Sequence, residues 1–304
     1  LKGPANTEPS SDTGKGLGLA ALGGLSLTMD VPLVRLADGG VWSILAARSG
    51  ATFVVAIAIW LAYRTLAGRS IRLVPGLGGS MVVAVYAVGA VTFVLAVFNT
   101  STANLVFILS FNTVFSALLS WIFLKERPRR ATFLAMGAMI VGVAIIVREG
   151  VSLGHGFGDA MALATAFLTA AALTAARATG RDMGFTPLVA NLFPALVALF
   201  LLPTGGPVIR DPVWIALNGF VVIPLAFWCL ASAPRYIPSP EVAMFYLLET
   251  ILAPVWVWLI FGEVPTTATL SGGAIMIAAL AAHSVWQVRR SRRSTFSRGV
   301  QRAV

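Results

Sequence analysis

Charge is scarce in this chain. Its 304 residues include 22 Lys and Arg and 12 Asp and Glu, together 11%, where a soluble domain carries about 25%. There is one cysteine, Cys229, and there are two histidines. A lone cysteine inside an apolar run excludes a disulfide framework and a Cys-based metal site. No HExxH, no carboxylate-rich metal motif and no Ser/His/Asp set is present, and Gly14-Lys15-Gly16-Leu17-Gly18 lacks the full phosphate-loop pattern. The reading is therefore not an enzyme, with no metal and no cofactor, and with energy taken from a gradient or an exchanged solute.

What the chain has instead is apolar length: 58% hydrophobic residues and a mean hydropathy of +0.86. Ten apolar runs follow one another at 16–36, 41–62, 75–98, 101–124, 131–148, 156–177, 186–202, 212–231, 241–261 and 266–287. At about 1.5 Å per residue each spans a hydrocarbon core of about 30 Å. Assigning the gaps alternately to two sides puts 18 basic residues on the side of both termini, among them Arg64, Lys125, Arg127, Arg177, Arg235 and the tail arginines Arg289 to Arg302. The other side holds Arg35, Arg148 and Arg210, and Arg48 lies within a span. This bias predicts cytoplasmic termini. It also assigns the basic tail, 289–304, to topology and anionic lipid headgroups rather than to nucleic acid. Residues 1–15 are polar and predicted to be disordered.

The chain repeats itself. Shifted by 137 residues without gaps, 104–147 overlays 241–284: Thr113 meets Thr250, Trp121 Trp258, Glu126 Glu263, Pro128 Pro265 and Met139 Met276. The unit holds five spans, and an odd number of crossings inverts the second copy. The predicted architecture is all-α integral membrane, ten transmembrane helices as two inverted five-helix repeats, 16–150 and 151–288. Such halves exchange conformations around a central site, opening it to one side and then to the other.

Phe123-Leu124-Lys125-Glu126-Arg127-Pro128 with Gly137 and Gly142, repeated as Leu252-Ala253-Pro254, Phe261-Gly262-Glu263 and Gly272-Gly273-Ala274, resembles the paired motif of EamA-type proteins in the drug/metabolite transporter superfamily. Ala47-Arg48 is similar to an arginine common in the second span there. By overall similarity the chain looks like the YddG-type amino-acid exporters of bacterial inner membranes. The resemblance implies ten helices, a cavity between the halves, and the fifth and tenth helices at the periphery. Lys125, where small residues are frequent, and Val264 depart from the pattern.

Polar groups inside spans are costly and point to protein or water. Asp30, just before Pro32, and Arg48 form either a structural ion pair or a gate near the outer side. Glu249, near the midplane, has Asn112 as its repeat partner, and Asn112, Ser116 and Ser120 share one helical face while Tyr246, Glu249 and Ala253 share another. A carboxylate there serves an ammonium group, a coupled proton, or a bridge between helices. Tyr86 and Phe93 share a face of span three, and Trp214, Asn218, Leu225 and Trp228 a stripe of span eight. Aromatic faces suit flat or apolar substrate groups, although Trp42, Trp214 and Trp286 also fit an interfacial belt. The substrate-binding candidates are Tyr86, Phe93, Asn112, Trp228, Tyr246 and Glu249; the gating or coupling candidates are Asp30, Arg48 and Glu249. Asn104, Asn191 and the Thr165–Thr169 pair read as helix–helix hydrogen bonding, and His155 and His283 as boundary or packing residues. Glu126 and Glu263, each two residues before a proline, are expected to fix their own turns through backbone amides or a nearby cation.

The expected function is a monomeric secondary transporter of the bacterial inner membrane. It exports small metabolites, neutral and aromatic amino acids first. The alternatives are export of drugs or nucleobase-like solutes, and an intramembrane enzyme or lipid-handling protein.

Overall fold

The computed structural model describes residues 10–66, 73–74, 76–125, 127–128, 130–179, 185–204, 208–233, 236–237 and 239–301, without the side chains of 10–12, 177, 231, 239–244, 246–247 and 287–301. Ten helical segments follow in chain order: α1 Thr13–Leu36, α2 Val41–Leu66, α3 Gly76–Asn99, α4 Thr102–Leu124 and α5 Arg130–Ser152, then α6 Gly156–Thr179, α7 Thr186–Thr204, α8 Pro212–Leu230, α9 Ser239–Phe261 and α10 Thr267–Gln301. Among the described residues nine helices are long and apolar enough to cross a membrane, and Leu248–Phe261 is a shorter apolar stretch within α9. The chain is a multi-pass membrane protein.

At the ends, helix is described from Ser10, within the stretch 1–15 expected to be disordered, and α10 runs past the last apolar run to Gln301 through the basic tail. Adding residues to an existing helix costs little beside nucleating one, so long apolar spans propagate into polar flanks.

The main pairings between helices not consecutive in the chain are α3 with α6, α1 with α8, α2 with α7, α4 with α9, α5 with α10, α4 with α6, α1 with α9, α2 with α8 and α3 with α7. Exchanging each helix with the one five places along turns this set into itself, the pattern an inverted pair of five-helix units generates. α5 and α10 run antiparallel: Thr132 bonds His283 near one end and Glu149 bonds Thr266 near the other. Between them the repeat mates Met139 and Met276 are both buried. Glycine makes the crossing close, since a Cβ on Gly142 would lie 2.7 Å from the Gly272 carbonyl oxygen, and one on Gly272 2.7 Å from that of Gly142. Small residues let helix backbones touch where lipid supplies no hydrophobic drive for association.

The two glycines of the first motif therefore separate. Gly142→Ala is expected to lower stability by about 1–3 kcal/mol through overpacking. Gly137→Ala, whose Cβ would meet nothing within 4 Å, leaves it unchanged or raised. Thermal unfolding in detergent reads the difference.

A central cavity as the candidate substrate site

Irregular turns place the polar side chains. α1 breaks at Thr28–Met29, so that Asp30 opens its second piece. α4 breaks at Phe111, directly before Asn112. α7 breaks at Ala190–Asn191, and α8 widens into a π-helix over Asn218–Val222. π-segments inside helices are frequent at functional sites.

These turns line a cavity of about 1000 Å³. Its inner end is a buried network. Arg48 Nη2 donates to both Asp30 carboxylate oxygens, at 3.1 and 2.8 Å, and Arg48 Nε donates to Asn218 Oδ1 at 3.1 Å. Asn218 Nδ2 donates to Asp30 Oδ1 at 2.8 Å, and the Arg48 guanidinium carbon sits 4.9 Å from the Phe93 ring centre. Each charge is thus neutralised and its hydrogen-bonding capacity largely used, the condition for keeping ions out of water. Gly219 permits this approach, since a Cβ there would be 2.8 Å from the Arg48 carbonyl oxygen.

Further along, the lining is Tyr86 on α3, Asn112 and Ser116 on α4, Thr165 and Thr169 on α6, and Glu249 on α9. The cavity reaches Arg127, Pro128, Thr132, His283 and Trp286, and so extends to the face bearing the α4–α5 turn. The opposite face is closed by polar contacts. Arg35 Nη1 pairs with Glu263 Oε2 at 2.5 Å, and Arg35 Nη2 donates to the Thr100 carbonyl at 2.8 Å. Thr102 N–H donates to Glu263 Oε1 at 3.0 Å. Thr100 Oγ1 donates to Asp159 at 2.5 Å, Thr269 Oγ1 to Asn104 at 2.6 Å, and exposed Arg210 pairs with Asp38 at 2.9 Å.

Asp30, Arg48, Tyr86, Phe93, Asn112 and Glu249, expected from sequence to meet, all line the one cavity. Glu249 makes no hydrogen bond or ion pair with any described residue, while Arg48 beside it is paired. Trp228 is a correction: its side chain is 53% exposed on the outer surface and does not line the cavity. The π-segment is the reason, because it makes the inward step five residues, Asn218 to Ile223 and then Phe227, and turns Trp228 outward. The Tyr246 side chain and all of Glu126 lie outside the described residues. Glu263 does take a backbone amide and a cation, but on α4 and α1 rather than in its own turn. Asn104 bonds between helices at the closed face; Asn191, Thr165, Thr169 and His283 line the cavity, and of these Thr165 bonds Thr92 and His283 bonds Thr132 across helices. Sequence reasoning placed Asn218 on the stripe of α8 with Trp214 and Trp228 but not with Asp30 and Arg48, and it missed Asp159, fully buried in the first turn of α6. Among the described residues no group of three or more His, Cys, Asp and Glu could hold a metal.

Residues 156–284 match the EamA-like transporter family. That match supports the drug/metabolite transporter superfamily, and the family implies a membrane transporter of small solutes; its members are transporters, not enzymes. A solved structure described as "Crystal structure of protein" is 17% identical, with a TM-score of 0.61 over 93% of this chain and 98% of that one, a likeness of fold alone. No curated protein matches the chain.

The Asp30–Arg48 pair yields a stability test. Asp30→Ala leaves a buried guanidinium uncompensated and is expected to cost roughly 3–5 kcal/mol, whereas replacing both residues, Asp30→Leu with Arg48→Met, recovers most of that loss. Denaturation of the purified variants in detergent checks both.

Proposed function

We propose that this chain is a secondary transporter working by alternating access, exporting neutral and aromatic amino acids across a bacterial inner membrane. One observation carries the reading. Glu249 is a carboxylate without an ion-pair partner among the described residues, in a large cavity that also presents the aromatic faces of Tyr86 and Phe93 and the polar groups of Asn112 and Ser116. An ammonium group satisfies that carboxylate with a charge-assisted hydrogen bond. Asn112 and the serine hydroxyls offer donors to a substrate carboxylate, and the aromatic rings suit an apolar side chain. The charge bias makes the face of the α4–α5 turn cytoplasmic, so the cavity is open where an exporter loads. Two inverted units, 16–150 and 151–288, in one chain make a monomer sufficient.

Labelled amino-acid uptake into liposomes holding the purified chain tests this. Saturable phenylalanine flux, competed by other neutral amino acids, is expected. Glu249→Gln is expected to lower it about tenfold, the worth of one charged hydrogen bond of about 1.5 kcal/mol. Tyr86→Ala is expected to weaken phenylalanine more than alanine; equal losses would assign Tyr86 to packing. Absence of amino-acid flux together with transport of a cationic drug or a nucleobase would overturn the substrate class.

A further inference from the structure

A second cavity, of about 340 Å³, lies on the closed face at the ends of α1, α3 and α9. It shares no lining residue with the central cavity, and its size falls within the range of about 300–1,000 Å³ usual for small-molecule sites. Its apolar lining is Val34, Val97 and the partly exposed rings of Phe98 and Phe261; its charged groups are Arg35 and Asp38.

Both charged groups keep hydrogen-bonding capacity in reserve. A guanidinium has five N–H donors. Arg35 spends one on Nη1 toward Glu263 and two on Nη2 toward the Thr100 and Val97 carbonyls, at 2.8 and 3.4 Å. Its Nε–H and second Nη1–H meet no acceptor among the described residues, and 23% of the side chain is exposed. Asp38 follows in a left-handed conformation, with φ 42°, which Asp adopts more readily than most residues. The turn is pinned, since the Arg210 and Asp211 N–H groups donate to the Asp38 and Ala37 carbonyls at 2.9 and 3.2 Å. Asp38 Oδ2 accepts from Arg210 Nη1, while Oδ1 accepts from no described residue. That ion pair is exposed, and exposed pairs are weak enough to yield to a ligand.

Spare donors and a spare acceptor therefore sit beside an apolar slot. Taken as two ion pairs, Arg35–Glu263 and Asp38–Arg210, the rim is neutral. A ligand of net charge is left unbalanced there, whereas one carrying both charges is not. We propose that this pocket binds a small zwitterion with an apolar tail: its anionic group on Arg35, its ammonium group on Asp38 and its tail against Phe98 and Phe261. Two sources supply that chemistry, a free neutral amino acid on this side of the membrane and the headgroup of phosphatidylethanolamine at the rim. The site uses no residue of the central cavity and does not depend on the transport function proposed above.

The probe is photo-leucine, a free amino acid with a diazirine in its apolar side chain, offered to the purified full chain in phosphatidylglycerol nanodiscs. Mass spectrometry locates the adducts. Saturable adducts at Val34, Val97, Phe98 or Phe261 are expected, and their absence overturns the proposal. Phenylalanine is expected to compete about tenfold better than phenylacetate or phenethylamine, each of which lacks one of the two charges. Competition by either as strong as that by phenylalanine overturns the zwitterion. Asp38→Asn is expected to lower labelling about tenfold, the worth of one charge-assisted hydrogen bond. Arg210→Gln, which removes the competitor for Asp38, is expected to raise it about threefold. If the Asp38–Arg210 pair serves structure alone, both variants change labelling in the same direction, and that result also overturns the proposal. Adding phosphatidylethanolamine to the nanodiscs separates the sources: loss of the adducts assigns the site to the headgroup, and unchanged labelling assigns it to the free amino acid. Adducts at Tyr86 or Phe93 report the central cavity, so failure of that reading is told apart from failure of this one.

Discussion

Inside a bilayer a buried polar group has no water to fall back on, and the rest of this structure is arranged around that constraint. Asp30 and Arg48 are tolerable because each neutralises the other, because Asn218 bonds both, and because the Phe93 ring covers the guanidinium. Holding that set requires α1 to break at Thr28–Met29 and α8 to widen into a π-turn. The distortions serve the ion pair. Glu249, by contrast, lines the cavity and makes no hydrogen bond or ion pair with any described residue.

The same constraint shapes the closed face. Helix ends expose unpaired N–H and carbonyl groups, and here side chains from other helices meet them: Glu263 of the second half at the start of α4, and Arg35 of α1 at the end of α3. Closure of this face is thus a set of polar contacts between helix ends. Glycine packing adds close backbone contacts, at Gly142 with Gly272 and, at the closed face itself, at Gly158 with the end of α3.

Much of the fold was legible in sequence. The ten apolar runs match the observed segments to within a few residues except at α10 and the start of α1, because hydrocarbon thickness dictates run length whatever the tertiary arrangement. The 137-residue repeat was legible from Glu126 and Glu263 and their prolines, since turns carry distinctive residues. Trp228 was not legible: a face computed at 3.6 residues per turn fails downstream of a π-segment, and nothing in Asn218–Val222 announces one.

The sequence by itself determined that this is a multi-span membrane protein with a repeated half, that charge divides unequally between its two sides, and that Asp30, Arg48, Asn112 and Glu249 lie within apolar spans. Those are properties of composition and order along the chain, set by the free energy of moving residues between water and hydrocarbon. Only the tertiary structure decided that Arg48 is occupied while Glu249 bonds no described residue, that Glu263 reaches another helix rather than its own turn, and which face of the cavity is shut. These depend on contacts between different helices, among them Arg48 with Asn218 and Glu263 with Arg35 and Thr102, whose register is set by packing and by helix irregularities that no local pattern encodes.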